Sequence, residues 1–265
     1  MSVEGMAGLR VTTDDVLGVL RPLSDDEWTA PSAAAGWSVK DVAAHLADLL
    51  GILMAAVRGD VLDTDLGIER LNDLHVSEKA DWPPDDVLRD FTRRSAEALT
   101  VFGSLQNEPY ASTRAPYLDL GTYPLHTMAD LCAFDFHDHL RWDVLAPRGP
   151  LRSRLPQPDE VRLRPAVNWL LAGLPNMQPG LVDSLAGPIR LRLTGPGGGE
   201  SMLDPGRGRI TVTRATADPP AAATVESTAH DFTGWATTRL PWRERTTVTG
   251  DHEVADHFLD ALNLV

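Results

Sequence analysis

The 265 residues contain a single cysteine, Cys132, and only two lysines, Lys40 and Lys79. One cysteine excludes an internal disulfide framework and any multi-cysteine zinc or iron–sulfur site. Basic residues are scarce overall: Lys plus Arg total 24 against 38 for Asp plus Glu, a net charge of −14. So acidic a surface repels phosphate backbones and anionic lipid, which argues against nucleic acid and against a membrane as partners. No apolar run approaches the ~18 residues of a spanning helix. The opening MSVEGMAGLR lacks the basic-then-apolar layout of a signal peptide, so a cytoplasmic location is expected. The glycine run GPGGGE, Gly195 to Glu200, lacks the following Lys-Ser/Thr and helix of a phosphate loop and reads as a hairpin turn. What remains is an ordinary globular balance, 43% hydrophobic and 23% charged.

The spacing of apolar residues predicts helices over the first 145 residues. One starts at Thr12 in TTDDVLGVLRPL, after a Thr/Asp start. A loop with Trp28 and TAPSAAAGW follows. Ser38 caps a second helix that Gly59 ends, with Val42, Leu46, Leu49, Leu53 and Val57 on one face. A third covers Gly67 to Ala80. Pro83-Pro84 opens a fourth through FGSL, where a first helical turn tolerates proline. A fifth runs from Leu125 to Leu145. Together they suggest an up-and-down four-helix bundle. After APRGPLRSRLPQP the pattern changes. A helix from Asp159 precedes strand-like IRLRLTG, SMLDP, RITVTRA and AATVES, and helices HDFTGWATTRL and DHEVADHFLDAL close the chain. The fold class is therefore α+β, with residues 1–150 forming the bundle and 151–265 a smaller α+β domain.

The fifth helix carries the informative anomaly. At about 100° per residue, Met128, Leu131, Cys132 and Trp142 share a face, and Asp135 and His139 fall in its middle. A carboxylate and an imidazole aimed into a bundle interior are costly unless paired or bound to something. Two readings follow: a buried Asp–His hydrogen bond, or a metal pair, because i,i+4 residues on bundle helices commonly build such sites. His45, on the flank of the second helix's apolar stripe, is either a satisfied core residue or the third ligand. A His/Asp/His set suits a divalent metal with open positions, zinc foremost, with iron, nickel or manganese as alternatives. His137 is an alternative ligand, although a regular helix points it about 160° from Asp135.

The segment GWSVKDVAAHLADLLG, with Trp37 and His45, resembles the N-terminal signature of the DinB-like, mycothiol-dependent maleylpyruvate isomerase family. That resemblance implies His45 as first metal ligand, with the other two from an E-x-x-x-H motif on the last bundle helix. FDFHDHLRWDVL supplies Asp135 and His139 at that spacing, with Asp in place of Glu. The acidic residue that usually follows the histidine three positions on is Trp142 here, with Asp143 one step later. The tail, from Arg239 through Gly250-Asp251 into HEVADHFLDAL, resembles the family's sterol-carrier-like C-terminal domain. The resemblance implies that a divalent metal binds the thiolate of mycothiol and sets its sulfur against a small electrophile, either for cis–trans isomerisation or for S-transfer. It also suggests Arg239 as the recogniser of a carboxylate on substrate or thiol, since a guanidinium fork matches carboxylates. The arginine-dominated, alanine-rich composition suits an actinobacterial source. A non-catalytic small-ligand binding protein that keeps the fold is the alternative, and a metal enzyme using water in place of thiol a third.

The remaining features read as structural. Cys132 packs as a small buried hydrophobe. Trp28, Trp82, Trp169, Trp235 and Trp242 are packing residues, and Met202 is core. Arg93-Arg94 and Arg162/Arg164 read as solvated helix faces. His126, His230, His252 and His257 are expected at the surface, and His75 has no visible partner.

Overall fold

In the computed structural model the described residues are 3–60, 66–152, 154–215 and 220–264. Of the opening segment, Met1 and Ser2 lie outside them. The chain divides into two compact units, residues 1–119 with 123–157, and residues 120–122 with 158–265.

The first unit is built mainly of helices. α1 spans Val3–Leu20, a short α2 Asp25–Thr29, α3 Val39–Val57, α4 Ile68–Glu78 and α5 Pro84–Ser104. Two three-residue strands, β1 (Arg114–Pro116) and β2 (Thr122–Pro124), come between α5 and α6, Met128–Asp138. α1 packs on α6 and α5, and α3 on α5, α4 and α6. The first helix begins nine residues before the expected Thr12. Thr12 is buried in mid-helix and its hydroxyl donates to the Gly8 carbonyl at 3.0 Å. A threonine can bond the preceding turn this way as well as cap a helix, so its presence does not mark a start. The expected loop at Trp28 holds α2, begun by a capping box between Ser24 and Glu27, and Trp28 is buried.

α3 matches its sequence signals closely. The Ser38 hydroxyl accepts from the Asp41 N–H, and the Asp41 carboxylate accepts from the Ser38 N–H at 2.9 Å. Gly59 follows with φ of +87°, a conformation open to glycine at no steric cost. Val42, Leu46, Leu49 and Leu53 are buried, whereas Val57 is half-buried. Each buried aliphatic side chain contributes about 1.5–3 kcal/mol, which fixes the rotation of α3 about its axis and therefore the direction of His45.

The fifth predicted helix is not uniform. A 3₁₀ turn at Leu125–Thr127 leads into α6, and residues His139–Val144 are wound as a π-helix. The Leu145 N–H donates to the Leu140 carbonyl at 3.0 Å, a five-residue step in place of the four of an α-helix.

The second unit holds α7 (Glu160–Gly173), β3 (Ile189–Thr194), β4 (Gly199–Pro205), β5 (Ile210–Arg214), β6 (Ala223–Thr228), α8 (Ala229–Ala236), β7 (Thr247–Gly250) and α9 (His252–Ala261). Its sheet runs β5-β4-β3-β6-β7, with β3 and β6 parallel and the other neighbours antiparallel. The GPGGG run joins β3 to β4 as a hairpin turn, with Gly195 and Gly197 at positive φ. Ile189, Leu191, Leu203, Val225, Phe232, Phe258 and Met202 are all buried, Phe232 completely. The observed class is α+β, as expected. No helix among the described residues is long and apolar enough to cross a membrane.

Three expectations about side chains change. Trp82 is 38% exposed, with the Lys79 ammonium 5.0 Å from its ring centroid. Arg94 is not solvated: its guanidinium reaches Asp90 at 2.9 Å and the Ala47 carbonyl at 3.3 Å, and Arg164 likewise donates to the Gly198 carbonyl at 2.8 Å. His126 and His230 are half-buried; His252 and His257 are exposed as expected. Such errors share one cause, since a pattern on one helix does not show which carboxylates and carbonyls a neighbouring element brings to it.

Candidate metal centre

His45 sits in the second turn of α3, Asp135 near the end of α6, and His139 at the first residue of the π-helix. The bundle brings the three together. His45 Nε2 lies 3.2 Å from Asp135 Oδ2, and His139 Nε2 lies 3.7 Å from Asp135 Oδ1. One ligand atom from each falls within 4.8 Å of the others. The shorter carboxylate of Asp135 thus still presents one oxygen to each imidazole. Four-coordinate zinc with ligands near 2.0–2.1 Å sets neighbouring ligand atoms about 3.3 Å apart, close to the 3.2 Å between His45 Nε2 and Asp135 Oδ2.

The residues fit a metal on a further ground. His45 Nε2 is buried and has no hydrogen-bond partner among the described residues, although the Asp135 carboxylate is so near. A buried polar nitrogen left unbonded costs on the order of 1–3 kcal/mol. A divalent cation would take its lone pair and offset the carboxylate's charge at once. The two imidazoles meet edge to face, their centroids 4.9 Å apart.

A shell of other side chains holds these groups. The indole of Trp37 lies over both imidazoles, its centroid 5.0 Å from that of His45 and 6.1 Å from that of His139. Its Nε1 donates to Asp73 Oδ1 on α4 at 3.1 Å. His139 Nδ1 lies 2.9 Å from Asp143 Oδ2, and the Arg148 guanidinium reaches Asp143 Oδ1 at 3.3 Å. If Nδ1 carries the proton and donates to the carboxylate, the lone pair is left on Nε2, facing Asp135. Asp143, Arg148 and Asp73 were not among the expected site residues. The i,i+4 relation of His139 to Asp143 is visible in the sequence; the other two arrive from a turn and from another helix, which no spacing announces.

His137, the alternative ligand, is buried but does not belong to the cluster. Cys132 is completely buried, and burial, with the Asp135 charge adding to it, pushes its thiol well above the ordinary value. A thiol so held is a poor nucleophile, and Cys132 is not in the group formed by His45, Asp135 and His139. Arg239 belongs to the second unit, half-buried in the turn after α8, next to Thr238 with its φ of +58°.

Residues 9–133 match the family described as the mycothiol maleylpyruvate isomerase N-terminal domain. The matched stretch includes His45 and stops two residues short of Asp135. Among solved structures, the mycothiol-dependent maleylpyruvate isomerase aligns over 93% of this chain and 92% of its own, at 15% identity and a TM-score of 0.58. A histidine-to-alanine mutant of it aligns equally, at 16% identity and the same TM-score. At these identities the likeness establishes the fold. The sterol carrier protein domain 2 of Helicoverpa armigera covers 41% of this chain and 90% of its own, at 14% identity and a TM-score of 0.31, too low to bear on the second unit. No curated protein matches the chain.

Proposed function

We propose, from the match of residues 9–133 to the mycothiol maleylpyruvate isomerase N-terminal domain family, that the protein is a metal-dependent enzyme with mycothiol as thiol cosubstrate, acting on a small electrophile as an isomerase or as a thiol S-transferase. His45 Nε2, Asp135 and His139 Nε2 would hold the metal, zinc first among the candidates. The observation that carries this reading is the buried, unbonded His45 Nε2 set 3.2 Å from the Asp135 carboxylate. A divalent cation held there lowers the pKa of a thiol and fixes its sulfur beside an electrophile. Reversible addition of a thiolate to a conjugated double bond leaves a single bond free to rotate before the sulfur departs. Displacement at a saturated or ring carbon instead yields a stable thiol conjugate.

The chain's own residues do the positioning. Trp37 covers the imidazoles and keeps bulk water from that side, and Asp73 fixes the indole. Asp143 fixes the His139 ring. Cys132 is completely buried and its thiol is held protonated, which suits a sulfur brought by the cosubstrate. Arg239 is assigned the recognition of a carboxylate on the electrophile or the thiol, and the division near residue 150 into a metal-binding bundle and a sterol-carrier-like domain belongs to the same proposal.

The test is the metal content, by mass spectrometry, of protein purified without chelators, beside His45→Ala and His139→Ala. About one equivalent is expected, lost in both variants while each keeps its helical circular dichroism. The loaded protein should then consume an electrophile such as maleylpyruvate only when mycothiol is added. Retained stoichiometric metal in either variant refutes the ligand set. Turnover without thiol refutes the thiol chemistry. An Arg239→Ala variant should raise KM for a carboxylate substrate with little change in kcat.

A further inference from the structure

The turn that follows α6 does more than end the bundle. In an α-helix a residue four positions on lies about 40° past its predecessor, and one four positions back about 40° behind. Asp135 and Asp143 would then flank His139 on opposite sides. In a π-helix, at roughly 4.4 residues per turn, the residue four on falls about 30° short instead, on the side where Asp135 already lies. The His139–Val144 winding thus lines up carboxylate, imidazole and carboxylate along one side of the helix, with Nε2 toward Asp135 and Nδ1 toward Asp143.

The chain after this turn locks it. The Asp143 carbonyl accepts from the Ala33 N–H at 2.8 Å, the Leu151 N–H donates to the Val144 carbonyl at 3.0 Å, and the Gly149 N–H donates to the Leu145 carbonyl at 2.9 Å. This folds residues 145–151 back on the π-helix and delivers Arg148. Its guanidinium donates both to Asp143 Oδ1 and to the Trp142 carbonyl, each at 3.3 Å. Asp143 is 1% exposed, so its second oxygen is held by Arg148 and not left to water.

We propose that Asp143 and Arg148 are positioning residues for the metal centre. Asp143 fixes His139 as the Nδ1–H tautomer with its Nε2 lone pair in the cluster, and Arg148, delivered by the folded-back turn, keeps the Asp143 carboxylate aimed at the ring. The metal part of this inference rests on the proposed His45/Asp135/His139 site; the tautomer part does not. Carboxylates that hold ligating imidazoles typically set metal affinity by 10–100-fold.

The test uses the full chain, wild type beside Asp143→Asn, Arg148→Ala and Arg148→Lys. Two readings are taken: zinc affinity, by competition with a chromophoric chelator, and the His139 tautomer, by ¹⁵N NMR of histidine-labelled protein in metal-free and zinc-loaded forms. The expected result is a single Nδ1–H tautomer in the wild type and loss of that single state in Asp143→Asn, with zinc affinity about 10–100-fold weaker. Arg148→Ala should weaken zinc several-fold and mix the tautomers, and Arg148→Lys should restore part of both. Arg148 is half-exposed, so its variants keep the question answerable if Asp143→Asn does not fold. Variants that keep wild-type zinc affinity and a single Nδ1–H tautomer overturn the inference and leave the metal site standing. A wild type that takes up no zinc overturns the metal site, while the tautomers of the metal-free proteins still decide the roles of Asp143 and Arg148.

Discussion

The indole N–H of Trp37 donates to Asp73 on α4 across 3.1 Å, and the same indole lies over the imidazole of His45 at a centroid separation of 5.0 Å. A helix outside the ligand set thereby controls the cover of the candidate centre. Trp37 stands just before the Ser38 cap, so the residue that begins α3 and the one that covers His45 are neighbours in sequence. Removing the cover should leave the ligands in place but open the centre to solvent. Trp37→Ala is expected to keep metal stoichiometry and to release metal to a chelator several-fold faster; Asp73→Ala should do the same more weakly. Stopped-flow chelation measures both, and an unchanged release rate in Trp37→Ala would show that the indole does not guard the site.

The Lys79 ammonium is buried between Asp48 at 2.7 Å and Asp90 at 2.8 Å, where it ties the end of α4 to α3 and α5. Removing one partner of a buried pair commonly costs about 3–5 kcal/mol, because the other charge is left uncompensated. Arg94 also reaches Asp90 and Asp48, at 2.9 and 3.4 Å, and softens that loss. Lys79→Met is therefore expected to destabilise by about 2–3 kcal/mol, measured by urea unfolding.

The same cluster sets a pH dependence. Burial acts to raise the Asp90 pKa, but hydrogen bonds from Lys79, Arg94 and Arg93 outweigh it and hold the carboxyl below its ordinary value. A carboxylate whose folded pKa is depressed contributes stability that is fully present above its unfolded pKa, about 3.9, and is lost as pH falls through the lower folded value. Unfolding free energy should accordingly drop on acidification below about pH 4. Asp90→Asn should flatten that acid limb, and an unaltered limb would assign the loss to other carboxylates.

Much of the architecture is readable from local signals. Ser38 and Gly59 delimit α3, Pro83-Pro84 opens α5, and Gly195, Gly197 and Gly198 turn one strand into the next, because each signal acts within a few residues. The grouping of His45, Asp135 and His139 is also readable, since burying the apolar stripes of two helices leaves these polar side chains facing inward. What is not readable depends on contacts from afar. Thr12 resembles a cap until Gly8 is seen to accept its hydroxyl. Arg94 reads as solvated until α3 brings the Ala47 carbonyl to it. The π-helix needs the Ala33 N–H on Asp143 and the turn of 145–151 to hold it, and neither is written in the spacing of the helix itself.

Cys132 lies one turn before Asp135, close enough to be mistaken for part of the chemistry. It is completely buried, and its thiol is pushed well above the ordinary range, first by burial and then by the Asp135 charge. The expected outcome is no reaction with a thiol reagent in the native protein and one equivalent of reaction after denaturation. Cys132→Ala should keep full metal content and cost on the order of 1 kcal/mol for the lost packing. Metal loss in that variant would return the sulfur to the ligand set.

Gly149 gives the sharpest test of the folded-back turn. A β-carbon at this position would fall inside contact distance of the Val144 carbonyl carbon and of the Val144 and Asp143 carbonyl oxygens, and these are backbone atoms that cannot swing aside. The same residue donates its N–H to the Leu145 carbonyl, so the turn cannot simply lift away without losing that bond. Gly149→Ala should thus displace the turn that delivers Arg148, while leaving α3 and α6 packed. We expect a stability loss of about 1–3 kcal/mol from overpacking, read by thermal unfolding. Alongside it, zinc affinity should fall toward that of Arg148→Ala, because the guanidinium no longer reaches Asp143. Gly149→Ala combined with Arg148→Ala should weaken zinc no further than Arg148→Ala alone. Additive losses in the double variant would mean that the glycine and the arginine act on the centre by separate routes.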